Sequence, residues 1–476
     1  MFKKNSYDAV VVGSGPNGLA AAIALAQAGH SVLVVEAKDT IGGGMRSKEL
    51  TLPGFVHDIC SAVHPLGLGS PFFSSLPLEQ HGLEWIHSPS ALAHPLDDGS
   101  VAMLERSVEA TAANLGRDAK IYRRVIGPLV DEWDNLKDAL LGPLRWPHHP
   151  LALARFGLGA VWPARYFYQI LFRTEGARAL FAGMSTHSII PLERPPSAAF
   201  GFVLAMLGHA VGWPIPRGGS QQIANALASY LLALGGEIAT NVEVDSLEML
   251  PTFKAVLLDV TPRQVLAIAN KQLPDGYKRQ LERYRYGPGV FKIDYALDGP
   301  VPWKSSACAR SATVHLGGTM KEIAAGERAT FRGQTAESPM VLAVQSSLFD
   351  PTRAPVGKHT LWAYCHVPNG STFDMTARLE AQIERFAPGF KERILARHTM
   401  YAPDLQKYNP NYVGGDINGG VQDLGQLFTR PVARLNPYTT PAKNIFICSS
   451  STPPGGGVHG MGGFFAAQAA LKSVLA

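Results

Sequence analysis

Gly13, Gly15 and Gly18 stand directly behind the apolar run Val10-Val11-Val12, and Glu36 closes a second apolar run that begins at Ser31. Glycines at this spacing, between a strand and a helix, bring backbone N–H groups up to a pyrophosphate. Gly13 permits the tight turn, Gly15 lets the backbone approach the phosphates, and Gly18 lets the next helix pack close to the sheet. A small-residue helix over 19–29 follows, with Pro16 and Asn17 in the turn ahead of it, and its N-terminus points unpaired N–H groups at an anion. A carboxylate about 20 residues on, here Glu36, is placed to hydrogen-bond a ribose hydroxyl. Strand, glycine turn, helix, strand and acid in that order predict a Rossmann-type dinucleotide site.

Elsewhere the residues able to do chemistry are scattered. Asp416 lies in Gly414-Gly415-Asp416-Ile417-Asn418-Gly419-Gly420. Glycines around an acid and an amide suit a backbone held close to a ligand, and a simple turn cluster accounts for the pattern equally well. His64, His187 and His209 fall in mixed apolar segments and read as core histidines, while Trp362, Tyr408 and Tyr412 read as packing aromatics able to line a pocket. Cys60, Cys308, Cys365 and Cys448 are far apart, which argues against a zinc knuckle and against a redox-active cysteine pair. No His, Cys and Asp set has metal-ligand spacing, so no metal is expected. Ser449-Ser450-Ser451 sits in a glycine-rich turn, not in a nucleophile elbow.

The elements that must position these residues follow from apolar period and from Pro and Gly punctuation. At 476 residues the chain exceeds the usual size of a single core, so more than one domain is expected. Residues 102–212 read as mainly helical, broken at Pro143, Pro150, Pro163 and Pro195-Pro196. An amphipathic helix over 221–234 ends at Gly235-Gly236, and 237–244 and 255–260 read as strands. Past residue 275 come strands over 289–297, 340–346 and 359–366, a helix over 376–386, and a long ordered loop over 401–420. A strand over 444–448, a glycine-rich turn and a helix over 458–475 finish the chain. Small residues on that helix (Gly460, Gly463, Ala467 and Ala470) suit tight packing against something flat. Residues 151–172 are apolar and aromatic but interrupted by Arg155, Pro163 and Arg165. They make a poor membrane span and a reasonable helical hairpin, covering a core, meeting a second copy in a homodimer, or resting on a lipid surface. The net charge of +5, with Lys and Arg dispersed, gives no footprint for nucleic acid. With no secretory signal ahead of the first strand, the expectation is a cytoplasmic protein, with peripheral membrane contact left open.

Three blocks carry a resemblance. Glu36 is followed by Ala37 and by Gly42-Gly43-Gly44-Met45-Arg46-Ser47, which resembles the GG-x-x-R-[ST] element of flavin-dependent amine oxidases and phytoene desaturases. Pro216-Arg217-Gly218-Gly219 with Gly235-Gly236-Glu237 resembles the middle block of the phytoene desaturase branch. The run from Asn444 to Cys448, with Pro453-Pro454-Gly455-Gly456-Gly457-Val458, is similar to that branch's closing flavin motif. Among its subgroups the chain looks most like the one labelled pyridine nucleotide-disulfide oxidoreductase domain-containing 2-like.

The resemblance implies an α/β fold: a Rossmann-type FAD-binding domain (glutathione reductase-like, amine oxidase and phytoene desaturase branch) with an inserted mixed-sheet and helical substrate domain. The FAD-binding domain would comprise 1–90, 214–275 and 430–476, and the substrate domain 91–213 and 276–429. It implies FAD as cofactor, with Gly43, Gly44 and Arg46 beside the pyrophosphate and flavin. Gly456, Gly457 and Val458 would open the last helix near the pyrimidine edge, and Val242, in a strand, would meet the adenine. His57 falls where relatives carry a turn near the flavin. His459 would hydrogen-bond flavin or substrate and titrate near neutrality, and with Asp416 these two complete the catalytic candidates. Lacking a second GxGxxG unit, the chain is expected to take hydride from an apolar, amphipathic or lipid-like substrate and pass electrons to oxygen or a quinone. A flavin amine oxidase is the alternative, with Lys292 or Lys304 as the lysine near the flavin. A redox-neutral isomerase or a non-catalytic binding or assembly protein is the third reading.

Overall fold

The structure, a computed structural model, describes residues 2–476, and among these two main sheets organise the chain. The first is fully parallel, in the order Ile445–Ile447, Thr252–Leu258, Ser6–Val12, Val32–Val35, Glu237–Ala239. Its central strands run apolar and buried over residues 9–12, 32–35 and 255–258, as a parallel sheet covered on both faces requires. Segments from the beginning, middle and end of the chain therefore interleave in one sheet.

Helix Pro16–Gln27 leaves the first strand with Gly15 as its N-cap and Pro16 in its first turn, where the missing N–H costs nothing. Among the described residues no side chain of its own caps it, so its N-terminal N–H groups await outside partners. Helix Met461–Leu471 lies against it. A Cβ on Gly463 would run into the Asn17 backbone, so the small-residue stripe serves a helix-on-helix contact. This last helix starts at Met461, three residues later than its sequence suggests, because Gly460 takes up a left-handed conformation at φ 69°. Val458 and His459 thus belong to the turn.

The second sheet is mixed, in the order Ile394–Met400, Gly289–Leu297, His359–Val367, Val341–Val344, Ser311–Leu316, Ser90–Pro95, Val101–Glu105. Register sets two rows on one of its faces: Thr313, Val344 and Trp362, then His315, Leu342 and Tyr364. Helices Glu175–Ser185 and Ser197–Ala210 and the hairpin of Pro150–Ala160 and Ala164–Leu171 pack in the same part of the molecule. Pro163, as N-cap of the second arm, breaks the hairpin where its sequence predicts. Among the described residues no helix is long and apolar enough to cross a membrane.

One predicted strand is cut short. The stretch expected over 237–244 pairs only as Glu237–Ala239, since Asn241 turns the chain with φ 57°. Val242 lies outside the strand, with its N–H given to the Glu36 carbonyl at 2.9 Å.

Candidate active site

A cavity of about 860 Å³ is lined by residues of both sheets and runs from the glycine turn to the helical hairpin. At the first end the turn is closed by sterics as much as by φ. A Cβ on Gly15 would lie 2.7 Å from Asp259 Oδ2, and one on Gly43 would lie 3.1 Å from the Gly15 Cα. A side chain at either position would fill the cradle that the backbone forms. Gly18 sits behind the turn, where a Cβ would meet the Gly13 carbonyl.

Glu36 is buried and fully engaged. Its Oε2 accepts the Ser14 N–H at 3.0 Å and the Ser14 hydroxyl at 2.5 Å. Its Oε1 accepts the Lys38 N–H at 2.9 Å and Arg46 Nη2 at 3.0 Å. Arg46 also donates from Nε to the Thr40 carbonyl at 2.7 Å, so it ties the loop after the second strand to the acid at that strand's end. Ala37, Gly44 and Val242 line the same end. The segment over 401–420, expected as a loop, opens with helix Ala402–Tyr408 and reaches back to it: Tyr408 donates its hydroxyl to the Gly43 carbonyl at 3.0 Å, and Asn411 its amide to the Asp259 carbonyl at 3.3 Å.

Asp259 is the residue that sequence reasoning missed. Val12 pairs with Leu258, so Asp259 falls opposite Gly13, and its Oδ2 accepts the Gly18 N–H at 2.9 Å. Burial, reinforced by nearby Glu36, pushes its carboxyl up to about 8. Nothing local marks it; only strand pairing brings it to the turn.

Midway along the cavity lie Cys60 to Leu66 on one side and Gly456, Gly457, Val458 and His459 on the other. His459 Nδ1 accepts the Met461 N–H at 3.1 Å, so the neutral ring carries its proton on Nε2. That N–H is buried and has no partner among the described residues. Burial holds the imidazole down at about 4, so the near-neutral titration expected of it is corrected. A glycine cradle at one end and an orphaned ring donor in the middle fit a long dinucleotide cofactor such as FAD.

The other two catalytic candidates stand away from the cavity lining. Asp416 is buried and accepts the N–H groups of Gly287, Asn418 and Gly420 at 2.7, 2.8 and 2.9 Å. It organises its own loop, which corrects the ligand-facing role. His57 is also buried; Nε2 meets the Thr51 hydroxyl at 2.8 Å and Nδ1 lies 3.7 Å from Asp294 Oδ1. Burial keeps it at about 4, a packed neutral ring between strands. Trp362, Tyr408, Tyr412 and His187, read as packing residues, do line the cavity. Among the described residues no cluster of metal ligands occurs.

The family model described as NAD(P)-binding Rossmann-like domain matches residues 11–71. The chain is 29% identical to pyridine nucleotide-disulfide oxidoreductase domain-containing protein 2 of Mus musculus, over 99% of this chain and 94% of that one. It is 23% identical to a subunit of limonene dehydrogenase from Castellaniella defragrans, over 100% and 96%. To the neurosporene-forming phytoene desaturase of Rhodobacter capsulatus it is 24% identical, over 94% and 91%. Among solved structures, putrescine oxidase bound to putrescine shares the fold with a TM-score of 0.61, at 19% identity and 98% coverage of both chains.

Fold and site define a Rossmann-type FAD-dependent oxidoreductase. Over nearly its whole length the chain is similar to pyridine nucleotide-disulfide oxidoreductase domain-containing and phytoene desaturase proteins, and it shares its fold with amine oxidases.

Proposed function

We propose that the chain oxidises an apolar, lipid-like substrate, drawn into the cavity past the helical hairpin. The observation that carries this reading is the far end of the cavity. From Ala139 to Leu204, and again at Leu424, Leu427 and Phe428, its lining holds no Asp, Glu, Lys or Arg. An ammonium or carboxylate substrate would lie there without a charged partner, at a cost of several kcal/mol. A hydrocarbon gains roughly 25 cal/mol for each Å² it buries. Bound FAD would supply a two-electron acceptor beside Gly456 to His459. This chain's own residues bind the substrate, orient it over the cavity floor of Thr313, Val344 and Trp362, and exclude water. Electrons would then pass to oxygen or a quinone.

Leu144 and Val161 line the cavity and are also 70% and 58% exposed, so the cavity reaches the surface at the hairpin. Trp146, Leu151, Leu158, Trp162 and Ile170 are exposed on the same segment. An apolar patch of this kind, with Arg145 and Arg155 beside it in sequence, suits shallow contact with an anionic lipid surface.

The limonene dehydrogenase and the phytoene desaturase are named for hydrocarbon substrates, in keeping with this reading. A second reading, amine oxidation, is favoured by a different feature. Trp362 and Tyr364 stand edge to face at 5.0 Å on the cavity floor, and the Lys292 ammonium lies 5.9 Å from the Trp362 ring. Putrescine oxidase is a solved relative in fold. Lys292, however, is ion-paired to Asp294 outside the cavity lining, and Lys304 is exposed. In this reading the amine must enter uncharged.

Anaerobic titration of the FAD-loaded protein with polyenes, enoyl lipids and amines separates the two. Loss of the flavin's visible absorbance with polyenes or enoyl lipids is expected; loss with amines alone would make the second reading the right one. A flavin that none of them bleaches would move redox-neutral isomerisation ahead.

A further inference from the structure

The buried polar atoms of the cavity lining that lack partners among the described residues fall into two groups. Asn17 Oδ1, His64 Nδ1 and His459 Nε2 belong to the stretch that suits the cofactor. Thr313 Oγ1 and Trp362 Nε1 belong to the floor formed by the second sheet, at the two ends of one cross-strand row with Val344 between them. Tyr364 packs edge to face on Trp362 with ring centroids 5.0 Å apart, and its hydroxyl also has no partner among the described residues. Other donors of the same lining are satisfied within the fold. Trp213 gives its Nε1–H to the Leu204 carbonyl at 3.2 Å, and Tyr408 gives its hydroxyl to the Gly43 carbonyl at 3.0 Å.

The missing partner has a defined chemistry. An indole N–H only donates, and the hydroxyls of Thr313 and Tyr364 donate as well as accept. Burial pushes the Tyr364 hydroxyl well up, so it keeps its proton. A buried donor without an acceptor is destabilising, and a pure hydrocarbon lying on this floor would leave these donors in that state. An oxygen atom on the ligand would satisfy them. Its charge is set by the surroundings. The floor residues Thr313, Leu342, Val344, Trp362 and Tyr364 carry none, and Lys292 and Asp294, which follow Tyr364 and Trp362 in the two rows, close on each other as an ion pair. That pair offers no free charge to a carboxylate.

We propose that the cavity floor is an oxygen site, in which Trp362 Nε1–H, with the Tyr364 and Thr313 hydroxyls beside it, receives an uncharged carbonyl or hydroxyl oxygen of the substrate. The assignment deepens the apolar-substrate reading above and rests on it. It also sets the direction of entry. An amphiphile that kept its polar end in water would leave that end at the hairpin, where Leu144 and Val161 are exposed. Here the donors without partners lie inside, so the oxygen enters first and the apolar chain trails toward the hairpin.

Three ligands of equal chain length test this: a polyene hydrocarbon, its ketone and its alcohol. Their binding to the FAD-loaded protein is measured by calorimetry after the flavin has been reduced with dithionite, so that no oxidation intervenes. The better of the two oxygenated ligands is expected to bind at least about tenfold tighter than the hydrocarbon. Ketone ahead of alcohol marks a carbonyl as the partner and the reverse a hydroxyl; either order supports the site. Tyr364→Phe and Trp362→Phe should each weaken that ligand about tenfold while the affinities for hydrocarbon and FAD stay unchanged. Thr313→Val, which keeps the side-chain shape, gives the same readout should the tryptophan variant not fold. A hydrocarbon bound as tightly as the oxygenated ligands, or a preference that survives every substitution, overturns the proposal. So does a loss of FAD affinity in Tyr364→Phe, which would give the hydroxyl to the cofactor. If none of the three ligands binds, the apolar-substrate reading falls and the proposal with it. A flavin that nothing bleaches, in a protein that keeps the oxygen preference, removes oxidation alone and leaves the site standing.

Discussion

Asp259 caps the glycine-turn helix from the neighbouring strand, its Oδ2 accepting the Gly18 N–H at 2.9 Å. This places a carboxyl where the fold brings helix N–H groups to a phosphate. As an anion it would repel a pyrophosphate; protonated it would not. Burial and Glu36 raise its value to about 8. The sign is that of a group whose folded value exceeds its unfolded one of 3.8. Its support for the fold is complete below about pH 4 and is lost as pH rises through about 8. FAD retention should therefore weaken between about pH 7 and about pH 9. Flavin fluorescence on release would follow it, and Asp259→Asn should flatten that step; an equal step in the variant would assign the loss to another group.

Glu36 and Arg46 form a buried pair at 3.0 Å. Glu36→Gln keeps the shape and removes the charge, leaving the guanidinium without its anion. Breaking a buried pair in this way costs about 3 kcal/mol, so the urea midpoint of the apoprotein should fall. FAD affinity should fall with it, because the same carboxylate orders the Ser14 and Lys38 backbone.

Asp416 and His57 supply a contrast. Asp416→Asn loses acceptor capacity toward three N–H groups and should lower stability by about 2 kcal/mol. Flavin content and flavin reduction rate per folded molecule should be unaltered, and His57→Gln should behave likewise. A reduction rate that collapses in either variant without a change in stability would restore the catalytic role.

These contrasts also mark what was legible in the sequence. The glycine turn, Glu36 and Arg46 were readable because turn sterics and a strand-ending acid are local. Strand Gly289–Leu297 and helix Thr376–Phe386 have the bounds their patterns predict, each carrying a clear period between clear breakers. Val242 reads as strand in the sequence because nothing in composition announces a positive φ at Asn241. Asp259 acquires its surroundings only when distant strands pair, so spacing could not point to it. His459 is legible by its position but not by its titration, because burial is a tertiary quantity.

The hairpin gives the last prediction. Leu151 and Ile170, one on each arm, are 85% and 84% exposed, and neither lines the cavity. Replacing both with Glu should leave the thermal midpoint nearly unchanged, since exposed substitutions of this kind usually shift stability by no more than about 0.5 kcal/mol. If the hairpin rests on lipid, each side chain contributes about 1.5 kcal/mol of burial there, and each loss weakens partitioning about tenfold. Co-flotation with vesicles containing anionic lipid should then disappear in the double variant, while flavin reduction by a detergent-dispersed substrate persists. A second copy of the chain on the same face predicts otherwise: the wild type would not float, and the substitutions would shift it from dimer to monomer in light scattering.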